Sequence, residues 1–343
     1  MESLKKSIIA AIGGALVVGV ACGWALCKQT IPHIPAPLEV RKNTTPQYHL
    51  INPLIYVDTD RSLFTEYSSL DTTLNQYVAE VRSSGDASSV SVYYRDLNNG
   101  HWTGINEDET YEPSSMLKVA VLISTLRAAL TNSSQSPTSL QSELSKQLYY
   151  PGTDTSGLNY PPAHALPAGY YSEQQLLDAM IIDSDNAAAL ALVNNDQSDF
   201  ESTYSDFRLP PTPSGPVTDY MTAKSYSVIF RALYNAGYLT RNLSETALEL
   251  LTKTSFTKGL VAGVPVDTVV AHKFGEHTYA LSDGTPVSHE LHDCGIVYFP
   301  NRPYLLCIMT KGSDFSKLET VISGISKLVY GYVNSAQAIN SER

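Results

Sequence analysis

Ser115 and Lys118 stand three residues apart at the head of an apolar run, Met116 to Leu130, that follows Pro113 and Ser114. Those breakers predict a helix start, so Ser115 falls at or just before the first turn and Lys118 projects from the same face. A hydroxyl placed there sits beside unpaired backbone N–H groups and the positive end of the helix dipole, which favour an oxyanion. Ser-x-x-Lys is then a nucleophile with its base one turn away. Met116, Leu117, Val119, Ala120 and Val121 flank the lysine, so it is expected to be buried, and burial eases loss of its proton. The same spacing recurs at Ser3 to Lys6 and Ser255 to Lys258, so spacing by itself identifies no site.

Two later stretches, Ser184-Asp185-Asn186 and Lys273-Phe274-Gly275, follow in the order of one acyl-transfer design. On these three stretches the chain resembles the penicillin-recognising serine hydrolases, and within them the class A β-lactamases and penicillin-binding proteins, from about Asp71 to Tyr330. The resemblance implies that Ser115 is acylated, Lys118 takes its proton and Ser184 passes a proton to the leaving nitrogen. It further implies that Asn186 binds the substrate amide, Asp185 shapes its loop and Lys273 attracts a substrate carboxylate. Gly275 then leaves room for substrate, and the N–H groups of Ser115 and Glu276 form an oxyanion hole. Read from the residues alone, Asp185 and Asn186 are helix caps.

Two departures from the family pattern matter. Phe274 stands where the family has a Thr or Ser hydroxyl for the substrate carboxylate. The segment Phe207 to Thr218, where a class A enzyme carries its water-activating glutamate, is proline-rich and holds no carboxylate between Asp206 and Asp219. Three functions remain open: a class A β-lactamase-like serine hydrolase acting on a β-lactam or related amide, a D,D-peptidase acting on D-Ala-D-Ala-type cell-wall peptides with slow β-lactam turnover, or a binding protein that kept the fold without the chemistry.

The elements that must position these residues are strands at both ends of the chain and helices between them. Leu70 to Val81 has helical spacing, and Ser89 to Tyr94 with His101 to Ile105 reads as a hairpin around Asn98-Asn99-Gly100. Asn132 to Ser145 and Tyr149 to Tyr171 read as surface loops, the second able to line a groove with its tyrosines. Ser172-Glu173-x-Gln175 is a capping box opening a helix that breaks at Asp183 to Asn186 and resumes from Ala187 to Val193. Helices follow at Phe200 to Phe207, Thr222 to Ala236 and Ser244 to Leu251. Val266 to Lys273, Thr278 to Leu281, Gly295 to Phe299 and Tyr304 to Thr310 read as strands before a closing helix, about Phe315 to Val333. The fold class is α+β: an antiparallel sheet flanked by helices with a helical lobe inserted, the site lying between lobe and sheet.

Residues 7–27 are an uncharged apolar run preceded by Lys5 and Lys6, long enough for one membrane crossing with an inside amino terminus. The expected organisation is an anchor at 1–30, an extended proline-bearing spacer with a possible strand at 31–69, a catalytic domain at 70–334 held outside the cytoplasm, and a tail at 335–343. A net charge of −11 without a basic stripe argues against a nucleic-acid partner. Cys294 and Cys307 lie on successive strands, near enough to bridge or to remain two buried thiols. His272, His277, His289 and His292 gather near the third stretch, but His289 and His292 are three apart in an expected turn, unlike the helical zinc motif. The chemistry requires neither cofactor nor metal. Oligomeric state is left open.

Overall fold

The computed structural model describes residues 39–41, 48–57, 67–133, 136–211 and 219–341, nearly all of them in a compact unit formed by Glu39–Tyr56 and Leu63–Arg343. The expected anchor at 7–27 lies outside the described residues, as does most of the spacer.

Two short strands, β1 (Glu39–Arg41) and β2 (Leu54–Val57), pair with each other. Just before β2, the Glu245 carboxylate accepts the backbone N–H groups of His49, Leu50 and Ile51, and Asn52 N–H donates to the Tyr234 carbonyl. This end of the spacer is therefore fastened to the domain, with Ile51 buried. Helix α1 (Ser68–Ser83) precedes the hairpin β3 (Ser89–Asp96) and β4 (Trp102–Ile105), and β5 (Thr110–Tyr111) leads into a 3-10 turn, Ser114–Leu117. The lobe comprises α2 (Lys118–Asn132), α3 (Pro137–Leu144), the pair β6 (Gln147–Tyr150) and β7 (Gly169–Ser172), α4 (Glu173–Ile182), α5 (Asn186–Asn195) and α6 (Gln197–Asp206). After β8 (Met221–Thr222), α7 (Ala223–Tyr234) and α8 (Arg241–Leu251), the chain returns to the sheet as β9 (Val270–Ala280), β10 (Pro286–Val297) and β11 (Tyr304–Gly312), and closes with α9 (Phe315–Ser341).

The five-stranded sheet has the order β4-β3-β11-β10-β9, antiparallel throughout. Side-chain alternation explains how it serves two cores at once. In β11, Tyr304, Leu306 and Ile308 join Leu70, Leu74 and Val78 of α1 and Leu318, Ile322 and Ile325 of α9 on one face. The intervening Leu305, Cys307 and Met309 join Met116, Ile229 and Phe230 in the helical lobe on the other. A disulfide joins Cys294 to Cys307, which stand directly opposite across β10 and β11. The same alternation sends neighbours on β9 opposite ways: Ala271 packs into the lobe core, and Phe274 into the core beneath α9 against Phe256.

The expected α+β arrangement is present, with local differences. The stretch from Asn132 to Ser145, expected as a loop, contains α3, which starts at Ser136-Pro137 with proline in the first turn where its missing N–H costs nothing. The ends of the Tyr149 to Tyr171 segment pair as β6 and β7, with Tyr149 opposite Tyr170. The strands expected at Val266 to Lys273 and Thr278 to Leu281 are one continuous strand, because β10 begins at Pro286 and pairs along its whole length. His289 and His292 consequently lie in a strand rather than a turn, and α9 runs past Val333 to Ser341. Among the described residues one helical stretch, Ser114–Asn132, is long and apolar enough to cross a membrane, and it is mostly buried within the protein.

Candidate active site

Ser115 sits inside the 3-10 turn and Lys118 begins α2, so the two are one turn apart as their spacing requires. The turn is held from two sides. Tyr226 of α7 donates its hydroxyl to the Met116 carbonyl at 2.7 Å, and Gly275 of β9 packs so closely that an added Cβ would lie 2.6 Å from the Pro113 carbonyl and 3.2 Å from Met116 N. Glycine at 275 is therefore what allows strand and turn to approach, which brings the neighbouring Glu276 to the cavity at Ser115. Ser114, at φ 47, and Ser184, at φ 58, adopt the left-handed backbone that non-glycine residues rarely occupy. Both border the cavity, where stored backbone strain is commonly found.

Lys118 is 5% exposed, and its amine is surrounded by oxygens: Ser115 Oγ at 2.6 Å, Asn186 Oδ1 at 2.6 Å, the Ser184 carbonyl at 2.9 Å and Ser184 Oγ at 3.3 Å. Burial lowers its pKa to about 7, against the opposing pull of Asp185 and Glu276. Lys273, fully buried on β9, donates to Ser184 Oγ at 2.9 Å and to the Phe274 carbonyl at 3.1 Å. Its ammonium is pushed well below the usual lysine range, first by burial and then by the positive charge of Lys118. Ser184 Oγ thus lies between two amines that arrive from residues 66 and 89 positions away.

The second stretch joins two elements. Asp185 caps α5 by accepting from Ala188 N–H at 2.8 Å, so its helix-capping reading is correct, while its other oxygen accepts from the buried Tyr150 hydroxyl at 2.7 Å. With Asp185 fixed, Asn186 becomes the first helical residue and its side-chain oxygen faces Lys118. Tyr150 is a positioning residue that the sequence did not single out, since nothing in its spacing distinguishes it from the other tyrosines nearby. The signal that was available, a tyrosine-rich segment able to line a groove, applies better to Tyr160, which does line the cavity.

That cavity, of about 340 Å³, is bordered by Ser115, Lys118, Ser184, Asn186, Phe274 and Glu276 among others. Of the residues named from sequence, Ser115, Lys118, Ser184 and Asn186 converge directly, and Lys273 reaches them through the Ser184 hydroxyl. Gly275 stands behind the turn. The Glu276 carboxylate accepts from the backbone N–H groups of Asn159 and Tyr160 and from Asn159 Nδ2, at 3.0–3.1 Å. Glu276 is the sole acidic residue lining this cavity among the described residues. Asp206 is held by Arg127 and Tyr238, each at 2.7 Å, and Asp219 by Lys311 at 2.7 Å and by Tyr279. Three of the histidines near the third stretch hydrogen-bond within or beside the sheet, His272 with Asp293 at 2.8 Å, His289 with Thr278 at 3.0 Å and His292 with the Glu112 carbonyl at 3.1 Å, while His277 packs edge-on against Tyr279. Among the described residues no cluster of potential ligands suited to a metal ion occurs.

An antiparallel sheet drawn from both chain ends, an inserted helical lobe, and a serine and lysine in the cleft between them define the fold of a penicillin-recognising serine enzyme. The model of the β-lactamase enzyme family matches residues 71–333, and the chain belongs to that family. Solved structures agree on the fold. A mutant PBP-A captured as its acyl-enzyme with penicillin G is 15% identical, with a TM-score of 0.61 over 78% of this chain and 97% of that one. The class A β-lactamase of Mycobacterium abscessus is 19% identical, with a TM-score of 0.61 over 76% and 99%. A β-lactamase of Xanthomonas campestris is 18% identical, with a TM-score of 0.60 over 77% and 98%. No curated protein matches the sequence.

Proposed function

We propose that this protein is a class A β-lactamase-like serine hydrolase in which Ser115 is acylated by a β-lactam or related amide. The observation that carries the reading is the environment of the Lys118 amine. Its carbonyl partners, Asn186 Oδ1 and the Ser184 C=O, can only accept hydrogen bonds. In a neutral amine they engage the two N–H bonds and leave the lone pair for the Ser115 proton. An amine titrating near 7 supplies that neutral form at ordinary pH.

Ser115 Oγ then attacks the carbonyl, and the N–H groups of Ser115 and Glu276 receive the oxyanion. Once Lys118 has taken the Ser115 proton, its third N–H and an N–H of Lys273 both donate to Ser184 Oγ, which occupies both of its lone pairs and directs its own proton toward the leaving nitrogen. Proton flow from Lys118 through Ser184 to that nitrogen breaks the amide bond. The acyl group remains on Ser115 until water removes it.

A second reading, a D,D-peptidase with slow β-lactam turnover, is supported by the acid side of the site. Asp206 and Asp219 are engaged elsewhere, so an acyl-enzyme with a β-lactam is expected to persist. Mixing the protein with a β-lactam and following intact mass together with ring opening separates the two. Multiple turnovers support the lactamase, and a stable one-to-one adduct at Ser115 supports the peptidase. No adduct with any acyl donor leaves only a binding role. The proposal includes a membrane anchor at residues 7–27 with the domain outside the cytoplasm. Protease shaving of intact cells tests it: a domain that remains protected contradicts that topology.

A further inference from the structure

The cavity at Ser115 carries an unusual balance of charge for a site that accepts an acyl donor. Lys273 is fully buried behind Phe274, with its amine committed to Ser184 and the Phe274 carbonyl, and it does not line the cavity. Lys118 does line it, but four oxygens already surround its amine. No arginine borders the space among the described residues. Beyond the serines, Lys118 and Asn186, the lining is made of apolar and aromatic residues, Phe274, Tyr160, Leu158 and Leu117 among them, and of Glu276 with its carboxylate.

That carboxylate is held in place and remains able to bind. Asn159 and Tyr160 give it three N–H donors, and Tyr160 is wedged edge-on against Phe256, Phe274 and Phe315 with its hydroxyl on Glu319. A carboxylate accepts in about four directions, so one acceptor position is left. Its charge reaches the reaction centre, since Glu276 contributes to the titration of both Lys118 and Lys273. An anionic group placed in the same small cavity meets like charge in a partly desolvated setting, whereas an N–H donor meets an open acceptor.

Resting on the acyl-transfer reading above, we propose that Glu276 is a specificity-determining residue that favours acyl donors, β-lactams included, whose leaving portion carries a cationic or N–H-bearing group over those carrying a carboxylate there. The selection is electrostatic, and Phe274 sharpens it by offering a carboxylate no hydroxyl.

The test uses the full chain and three thioesters of one acyl group, with mercaptoacetate, mercaptoacetamide and thiocholine as the thiol portion, each acylation rate divided by that ester's rate of alkaline hydrolysis so that leaving-group reactivity cancels. Ser115 acylation is timed by intact mass. The thiocholine and mercaptoacetamide esters are expected to acylate faster than the mercaptoacetate ester by at least about tenfold at low salt, with the gap narrowing as salt screens the charge. In E276Q the ratio of mercaptoacetate to thiocholine rates is expected to rise by about the same factor. Equal rates in the wild-type protein, or a faster mercaptoacetate ester, overturn the selectivity and leave the acyl-transfer reading standing. A gap that is indifferent to salt in the wild-type protein and unchanged in E276Q also overturns it. Failure of all three esters to label Ser115 overturns the acyl-transfer reading and the selectivity with it.

Discussion

On the amine side of Ser115, Lys118 and Lys273 reach one hydroxyl, Ser184 Oγ, from a helix and from a strand, whereas the two acids flanking the proline-rich segment, Asp206 and Asp219, are each held by a cation and a tyrosine. The first arrangement costs stability, because burying two amines side by side is tolerated only when surrounding oxygens accept from them. In the second, the exposed Arg127–Asp206 pair is worth little to stability, while Asp219 shares the part-buried Lys311 with the buried Glu290; neither acid is free at Ser115. The contrast teaches that the two amines are delivered by regular elements, a helix and a strand, whose packing fixes their geometry, and that Ser184, in the short link between α4 and α5, is fixed in turn by them.

Replacing Lys118 by Ala disables the amine side most directly. Acylation of Ser115 is expected to fall by about 10²–10⁴-fold, read as the loss of adduct formation by mass, and labelling at the original rate refutes its assignment as base. Acidification probes the same group without mutation. Because Lys118 must be neutral to accept the proton and titrates near 7, the acylation rate should rise about tenfold per pH unit below 7 and level off above it. A profile flat between pH 5 and 8, on the order of the range this pKa governs, separates the base role from Lys118.

The docking of the turn against β9 is probed by Gly275→Ala, whose methyl meets the Pro113 carbonyl and Met116. A loss of about 1–3 kcal/mol in denaturant unfolding is expected, together with impaired acylation. Tyr150→Phe removes the donor to Asp185 and should cost about 1 kcal/mol, with little direct effect on the chemistry if its role is to hold the loop. The smallest effect is expected on the acid side. Asp206→Asn and Asp219→Asn should leave acyl-enzyme lifetime within about twofold, as for groups that touch neither the nucleophile nor the base. A lifetime lengthened many-fold in either variant identifies the water-activating acid and removes the contrast.

Much of the amine side was legible because local rules set it. Ser115 and Lys118 are related by helical spacing, the box at Ser172 and Gln175 starts α4, and the side chain of Asp185 caps α5. The segments misread as loops or turns failed for an identifiable reason. Ser- and Gln-rich α3 has almost no apolar face to reveal it, and β9 reads as two strands on either side of Phe274 to His277, a gap containing Gly275, which serves a close approach across the fold instead of ending the strand. The roles of Tyr150 and Tyr226 were hidden among 22 tyrosines, since a hydroxyl's partner more than thirty positions away leaves no mark on its neighbours.

By itself, the sequence determined the order of the elements, the α+β class and the three stretches bearing the serine, the lysines and the asparagine, because helix starts, caps and strand alternation are properties of a few adjacent residues. Only tertiary structure decided that Lys118 and Lys273 share Ser184, that Gly275 meets the Pro113–Met116 turn, and that the Glu276 carboxylate stands at the cavity. Those are distances between residues far apart in the chain, and burial fixes both the separation and the protonation of the amines it brings together.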